Sequence, residues 1–201
     1  VPDGAEVAPG VRLTLAGGRV VDPFAPSRGR RWPERLETLT ALDQPELAEA
    51  WQAALGAAAD GLDRAQFVLA HNLTAAEAAA LAGHTAARTA LGQSFSADHA
   101  ERWTVLVEEA LGRWHTENTD RAGAPPESLR RTLKSSAPRP TWAAALAMAL
   151  ADKRIKQVGP MVALAGHEAV MLHADQLLWE DIAPLLAEGG LRPPRVRELA
   201  Q

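Results

Sequence analysis

Apolar residues recur along most of this chain at the three- and four-residue spacing that gives a helix one apolar face. The clearest case lies within residues 97–117 and comprises Trp103, Leu106, Val107, Ala110, Leu111 and Trp114. Strict alternation of apolar and polar residues, which is typical of a half-buried strand, is confined to short stretches such as 11–15. The pattern therefore predicts a mainly α chain with small β-hairpins, that is, an α+β fold.

Capping residues predict where helices begin in the first half of the chain. Pro33 suits a first helical turn because its missing N–H would have no partner there. Asp43 is expected to cap a second helix, and Asp63 a third. Thr74 and Glu77 have the spacing of a capping box, which predicts a fourth helix after Thr74.

Two predicted β-hairpins each follow a group of helices. The first covers residues 85–96, with its turn at 91–93. The second follows predicted helices at 97–117, 127–133 and 141–152, and joins strands 155–158 and 161–164 through Gly159-Pro160. Helices followed by a hairpin is the element order of a winged helix, so the sequence predicts tandem winged-helix domains at residues 25–96 and 97–173.

The two ends of the chain are expected to belong to incomplete domains. Short strands predicted at 11–15 and 19–21 are too few for a stable sheet, so residues 1–24 are interpreted as the end of an upstream domain. Residues 174–201 begin a third helical unit, expected to pack on the second unit or to be poorly ordered. No methionine precedes Met148, which favours a processed chain or a piece of a longer protein.

Composition excludes several classes of site. The 201 residues include no cysteine, which rules out disulfides, thiolate metal sites and a cysteine nucleophile. No apolar run approaches the length of a membrane span. The six histidines lack the spacing of a metal-binding pair, and no nucleophile motif or phosphate-binding loop occurs. A catalytic, metal or cofactor site is therefore not expected.

Positive charge is local in this chain, whose formal net charge is −4. Arginine and lysine bind nucleic-acid phosphates, so two basic clusters are candidate RNA contacts: Arg28, Arg30, Arg31 and Arg35 before the first helix, and Lys153, Arg154 and Lys156 before the second hairpin. A solvated linker and a charged helix end are the alternative readings. Trp32 could stack on an arginine or a base, but docking into a core is the favoured interpretation.

Two motifs lie near the start of the chain, at residues 17–23 (Gly-Gly-Arg-Val-Val-Asp-Pro) and 28–36 (Arg-Gly-Arg-Arg-Trp-Pro-Glu-Arg-Leu). They resemble motifs of bacterial selenocysteine-specific elongation factors, in which the first ends the third β-barrel domain and the second opens the C-terminal extension. Segments 101–103, 114–115, 127–133 and 166–168 resemble its second winged helix, and Trp179 with 190–199 the start of its third. The resemblance implies that residues 1–24 are a remnant of the barrel domain.

The resemblance also implies a function. Members of the family use GTP and Mg²⁺ to deliver selenocysteyl-tRNA to UGA codons in the cytoplasm, guided by an mRNA hairpin. Their GTP domain and the fourth winged helix, which reads the hairpin, have no counterpart in this sequence, and none of their nucleotide-binding residues has a matching position. The chain would therefore be a non-catalytic spacer, with tRNA, mRNA and the ribosome as partners of the whole factor and no sequence-specific DNA expected.

Two other classes of function remain open. A winged-helix transcriptional regulator would carry base-reading side chains on the third helix of each unit. Neither 75–81 nor the Trp-Ala-Ala-Ala-Leu-Ala-Met-Ala-Leu run of 142–150 contains an arginine, asparagine or glutamine, which disfavours DNA recognition. The other alternative is a protein-interaction module.

Overall fold

The computed structural model describes residues 17–83, 86–133, 137–171 and 173–189. Within these ranges the helices are α1 Pro33–Leu42, α2 Leu47–Ala57, α3 Arg64–Ala70, α4 Ala75–Gly83, α5 Ala97–Glu117, α6 Pro126–Thr132, α7 Arg139–Ala151 and α8 His173–Gly189. The strands are β1 Leu62–Asp63, β2 Arg88–Ala90, β3 Gln93–Phe95, β4 Ile155–Val158 and β5 Met161–Leu164.

Three of the four helix starts predicted in the first half are confirmed. Pro33 occupies the first turn of α1, and the Asp63 carboxylate accepts a hydrogen bond from the backbone N–H of Gln66 at the start of α3. At the capping box, the N–H of Glu77 donates to the Thr74 hydroxyl, while the Glu77 carboxylate accepts from the N–H of Thr74. These bonds satisfy donors that the first helical turn leaves unpaired.

The cap predicted at Asp43 is wrong. Asp43 instead ends α1, where its N–H donates to the carbonyl of Leu39, and α2 begins four residues later, at Leu47. Pro45 explains the shift, because a proline disfavours helical geometry at the residue before it. A helix capped by Asp43 would need that geometry at Gln44.

The first unit has the winged-helix order of helix, strand, two helices and hairpin, in α2, β1, α3, α4, β2 and β3. Its sheet has the antiparallel order β1-β3-β2. Leu91 and Gly92 form the hairpin turn with φ of 48° and 82°, as a tight two-residue turn requires. Strand β1 was not predicted, because two residues are too few to show alternation.

The second unit repeats the same order. It runs α5, an isolated bridge between Ala124 and Val162, α6, α7, β4 and β5. The α5 helix covers the predicted residues 97–117, and β4 pairs with β5 around Gly159-Pro160 as predicted. The bridge takes the place of β1, so the tandem winged-helix fold is confirmed.

Two apolar cores stabilise the units. The first contains Trp51 and Phe67, whose rings meet edge to face with centroids 4.8 Å apart, together with Leu42, Leu55 and Leu81. The second gathers residues of α5, α6, α7 and both strands of the second hairpin, among them Val107, Leu111, Leu129, Trp142, Met148 and Ile155. Burial of these side chains is the main driving force for folding.

The second core also includes Phe95, the last residue of β3 in the first hairpin. Phe95 is fully buried, so the units share a hydrophobic contact. Hydrogen bonds accompany it: Trp103 Nε1 donates to the carbonyl of Ala59 at 2.9 Å, and the Thr141 hydroxyl to that of Asp60 at 2.5 Å. Arg88 adds a two-point ion pair with Asp152, with N–O distances of 2.7 and 2.8 Å.

The predictions for the chain ends have mixed outcomes. Residues Arg19–Val21 do not form the predicted strand. A strand needs hydrogen bonds from a neighbouring strand, and none of the described strands pairs with this segment. The predicted strand at 11–15 and helix at 195–200 lie outside the described residues. Helix α8 forms, but Leu177, Leu178, Trp179 and Leu185 remain exposed rather than buried on the second unit. The predicted domain boundaries stay predictions.

Phe95→Ala should lower the free energy of unfolding by about 3–5 kcal/mol, because it empties a fully buried site at the contact between the units. Urea unfolding followed by circular dichroism measures the change. Leu69→Ala is the control, since Leu69 is 67% exposed and its truncation should stay within about 0.5 kcal/mol. Equal effects of the two substitutions would contradict the shared core.

Candidate nucleic-acid interface

Helix α7 stands where a winged helix ordinarily presents its groove-reading helix. Here it is enclosed: Thr141, Trp142, Ala144, Ala145, Met148 and Ala149 are buried. One side packs on α5, and another meets β2 and β3 of the first unit. A helix that is apolar on most of its surface belongs in a core, so α7 is not available to enter a nucleic-acid groove.

The corresponding helix of the first unit, α4, is accessible but bare. Ala75, Ala76, Glu77, Ala79 and Ala80 are exposed. Methyl groups have no donors or acceptors for base edges, and a carboxylate repels phosphate. In the described part of the chain, neither helix is equipped to read a sequence.

The basic cluster before the second hairpin is largely engaged within the protein. Arg154 holds Glu101 through two hydrogen bonds of 2.8 and 2.7 Å, and contacts Glu108 at 3.1 Å. The Lys156 ammonium donates to the carbonyl of His167 at 2.6 Å. Lys153, at the end of α7, is exposed with a φ of 58°. Sequence reasoning had placed the three together, but only Lys153 faces solvent without these bonds.

The cluster before α1 divides differently. Arg35 pairs with Asp22 at 2.7 Å, with only 14% and 10% of the two side chains exposed. This ion pair fastens the preceding segment to α1. Arg28, Arg30 and Arg31 are exposed, although Arg30 Nε donates to the carbonyl of Pro26 at 3.0 Å. The exposed positive charge is therefore concentrated at residues 28–31.

Trp32 follows these arginines and does not dock into a core. It is 67% exposed, so the favoured sequence interpretation is wrong. It is the N-cap residue of α1 and is followed by Pro33. The nearest apolar residue in the sequence, Leu36, is itself 53% exposed.

A second group of arginines surrounds Glu127 on α6. Arg130 donates to both carboxylate oxygens of Glu127, at 2.9 and 2.7 Å, while Arg131 and Arg139 approach within 3.8 and 3.9 Å. The hydrogen bond from Arg130, helped by the charges of all three arginines, lowers the pKa of Glu127 to about 2. The negative charge of Glu127 therefore offsets part of the positive charge of these three arginines.

Sequence reasoning did not foresee the stacked pair of His115 and His167. Their ring centroids are 3.4 Å apart, and the planes differ by 19°. His115 is buried, its Nε2 accepts from the N–H of Leu164 at 3.3 Å, and its Nδ1 has no hydrogen-bond partner. Burial, followed by the charges of His167 and Lys156, lowers the pKa of His115. No signal in the sequence links two histidines 52 positions apart.

The described residues hold no group of three or more ligands able to bind a metal ion, and no helix among them is long and apolar enough to cross a membrane. The structure is that of a tandem winged-helix protein. One of its groove-reading helices, α4, lacks base-reading side chains, and the other, α7, is enclosed.

Comparison with known proteins identifies the type of winged helix. Residues 109–164, from within α5 to the end of β5, match the family model for the winged helix of elongation factor SelB. The selenocysteine-specific elongation factor of Escherichia coli is 29% identical over 197 residues, which cover 94% of this chain. The predicted resemblance to this family is confirmed. The chain spans about 30% of the length of the E. coli protein.

The lowered pKa of His115 predicts acid-sensitive folding. Below the ordinary histidine pKa of about 6.5, the unfolded chain binds a proton that the folded chain resists. The stability from neutral His115 is therefore complete above that pH and lost as the pH falls through the folded-state pKa.

His115→Gln, which keeps an acceptor for Leu164, should reduce the fall in melting temperature between about pH 7 and pH 5.5. Part of the fall should remain in this variant, because burial also lowers the pKa of His71. The control is Thr116→Ala, at an exposed residue of α5 with no titratable group, which should retain the wild-type pH profile. Identical pH profiles for His115→Gln and wild type would contradict the assignment.

Proposed function

We propose that this chain works as a non-catalytic connector within a selenocysteine-specific elongation factor. In this role it joins the part of the factor that carries selenocysteyl-tRNA to the part that reads the mRNA hairpin. GTP and Mg²⁺ would bind elsewhere in the factor, which would act on the ribosome in the cytoplasm. Support comes from the match at residues 109–164 and the similarity to the E. coli factor over 94% of the chain.

The enclosure of α7 carries the connector proposal. The helix that could enter a groove is instead the surface on which the first unit's hairpin rests. Phe95 and the Arg88–Asp152 ion pair secure that contact on its apolar and polar sides. Two units joined through a shared core transmit position better than two units on a flexible linker, and position is what a spacer must supply.

Among the residues of the two basic clusters, we propose RNA contact only for those that are exposed. Between residues 17 and 35 there are five arginines and only two acidic residues. Arg28, Arg30 and Arg31 are exposed there and can reach phosphates of tRNA or ribosomal RNA. Lys153 is a further single contact. Arg35, Arg154 and Lys156 are better explained by their bonds to Asp22, Glu101 and His167.

Arg30→Glu combined with Arg31→Glu should weaken binding of selenocysteine tRNA and reduce its salt dependence. Each lost phosphate contact reduces the steepness of the plot of log K against log salt by about 0.7–0.9. The double variant loses two contacts, so its slope should be shallower by about 1.5. Gel shifts at several salt concentrations measure both quantities. Wild-type binding should be weak and confined to low salt.

Arg113→Glu combined with Arg121→Glu is the matched control, since both residues are exposed and the charge change is the same. It should leave most of the affinity intact. Equal loss in both double variants, or no tRNA binding by wild type at low salt, would overturn the RNA contact. Duplex DNA run in parallel tests the transcriptional-regulator alternative, and stronger binding of DNA than of tRNA would favour it. Binding of neither nucleic acid would favour a protein-interaction module.

A further inference from the structure

Trp32 is the exposed aromatic residue closest in sequence to the exposed arginines at positions 28, 30 and 31. It is 67% exposed, and its immediate neighbours in the sequence are Arg31 and Pro33. A single exposed apolar residue is common on protein surfaces and needs no explanation by itself. Two further features, the support of the ring and its charged surroundings, set Trp32 apart.

Gly29 supports the indole ring. Its backbone has a φ of 71° and lies so close that a Cβ on Gly29 would stand 2.9 Å from Cδ2 and Cε3 of Trp32. The N–H of Trp32 donates to the carbonyl of Gly29 at 3.1 Å, which closes this turn. Gly29 thus lies against three ring atoms, Cδ2, Cε3 and Cε2, while two thirds of the residue remains accessible to a base.

The turn that supports the ring also carries the positive charge. Arg28, Arg30 and Arg31 flank Gly29 and are exposed, and Arg30 is steadied by its bond to the carbonyl of Pro26. Proteins that bind single-stranded nucleic acid usually combine two features. Cationic side chains bind the phosphates of the nucleic acid, and a neighbouring aromatic ring provides a face on which a base stacks. A duplex keeps its bases stacked inside and offers this ring no partner.

We propose that Trp32 is a stacking platform for one unpaired RNA base, whose neighbouring phosphates are bound by Arg28, Arg30 and Arg31. This inference rests on the proposed RNA contact and specifies its ligand, a nucleotide in a single strand or loop. Recognition is tolerant of base identity, because every base has a π-face. It discriminates between unpaired and paired RNA.

The test compares a short unstructured RNA with a duplex RNA of the same sequence, both binding to the 201-residue chain at low salt. Trp32→Ala should weaken binding of the single strand by about tenfold, the effect of one lost base–aromatic stack, and change duplex binding by less than about twofold. Trp32→Phe should keep most of the affinity. Trp179→Ala is the matched control, because Trp179 is 52% exposed on α8.

The outcomes separate this inference from the function on which it rests. If the single strand binds and Arg30→Glu with Arg31→Glu weakens it, but Trp32→Ala leaves its affinity unchanged, the stacking platform is wrong and the phosphate contact stands. Equal losses of single-strand and duplex binding in Trp32→Ala also overturn the platform. If wild type binds no RNA, both proposals fail together.

Discussion

The structure depends on the burial of α7 between α5 and the hairpin of the first unit. Six of its 13 residues are alanine, and these short side chains let neighbouring elements approach the helix closely from more than one side. Phe95 fills the contact from the first unit, and the hydroxyl of Thr141 satisfies the carbonyl of Asp60 at the helix start. Apolar burial supplies most of the stabilisation, while the polar bonds determine how the units align.

This arrangement limits what the winged helices can do. The fold is widely used to place a helix in a groove, but fold alone does not determine function. Here the second unit's helix forms an internal interface, and the first unit's helix presents methyl groups and a carboxylate to solvent. The RNA contact that we propose therefore lies outside these two helices, at the exposed arginines beside Trp32.

Helices, hairpins and their repetition could be predicted from the sequence because they depend on local signals. Apolar spacing defined α5, the Thr74–Glu77 box defined α4, and Gly159-Pro160 defined the second hairpin turn. The failures have local causes too: Pro45 displaced the start of α2, and β1 was too short to show a pattern. The family resemblance also followed from short motifs in a constant order.

Which charges are free was decided only by the tertiary structure. Arg154 and Lys153 are neighbours in the sequence, yet the fold brings Glu101 and Glu108 of α5 to Arg154 and leaves Lys153 in solvent. The same holds for Arg35 with Asp22 and for the stack of His115 on His167. The sequence by itself determined the elements, since these depend on residues a few positions apart. The ion pairs of Arg35 and Arg154 and the histidine stack join residues 13 to 53 positions apart, and only the folded chain brings those together.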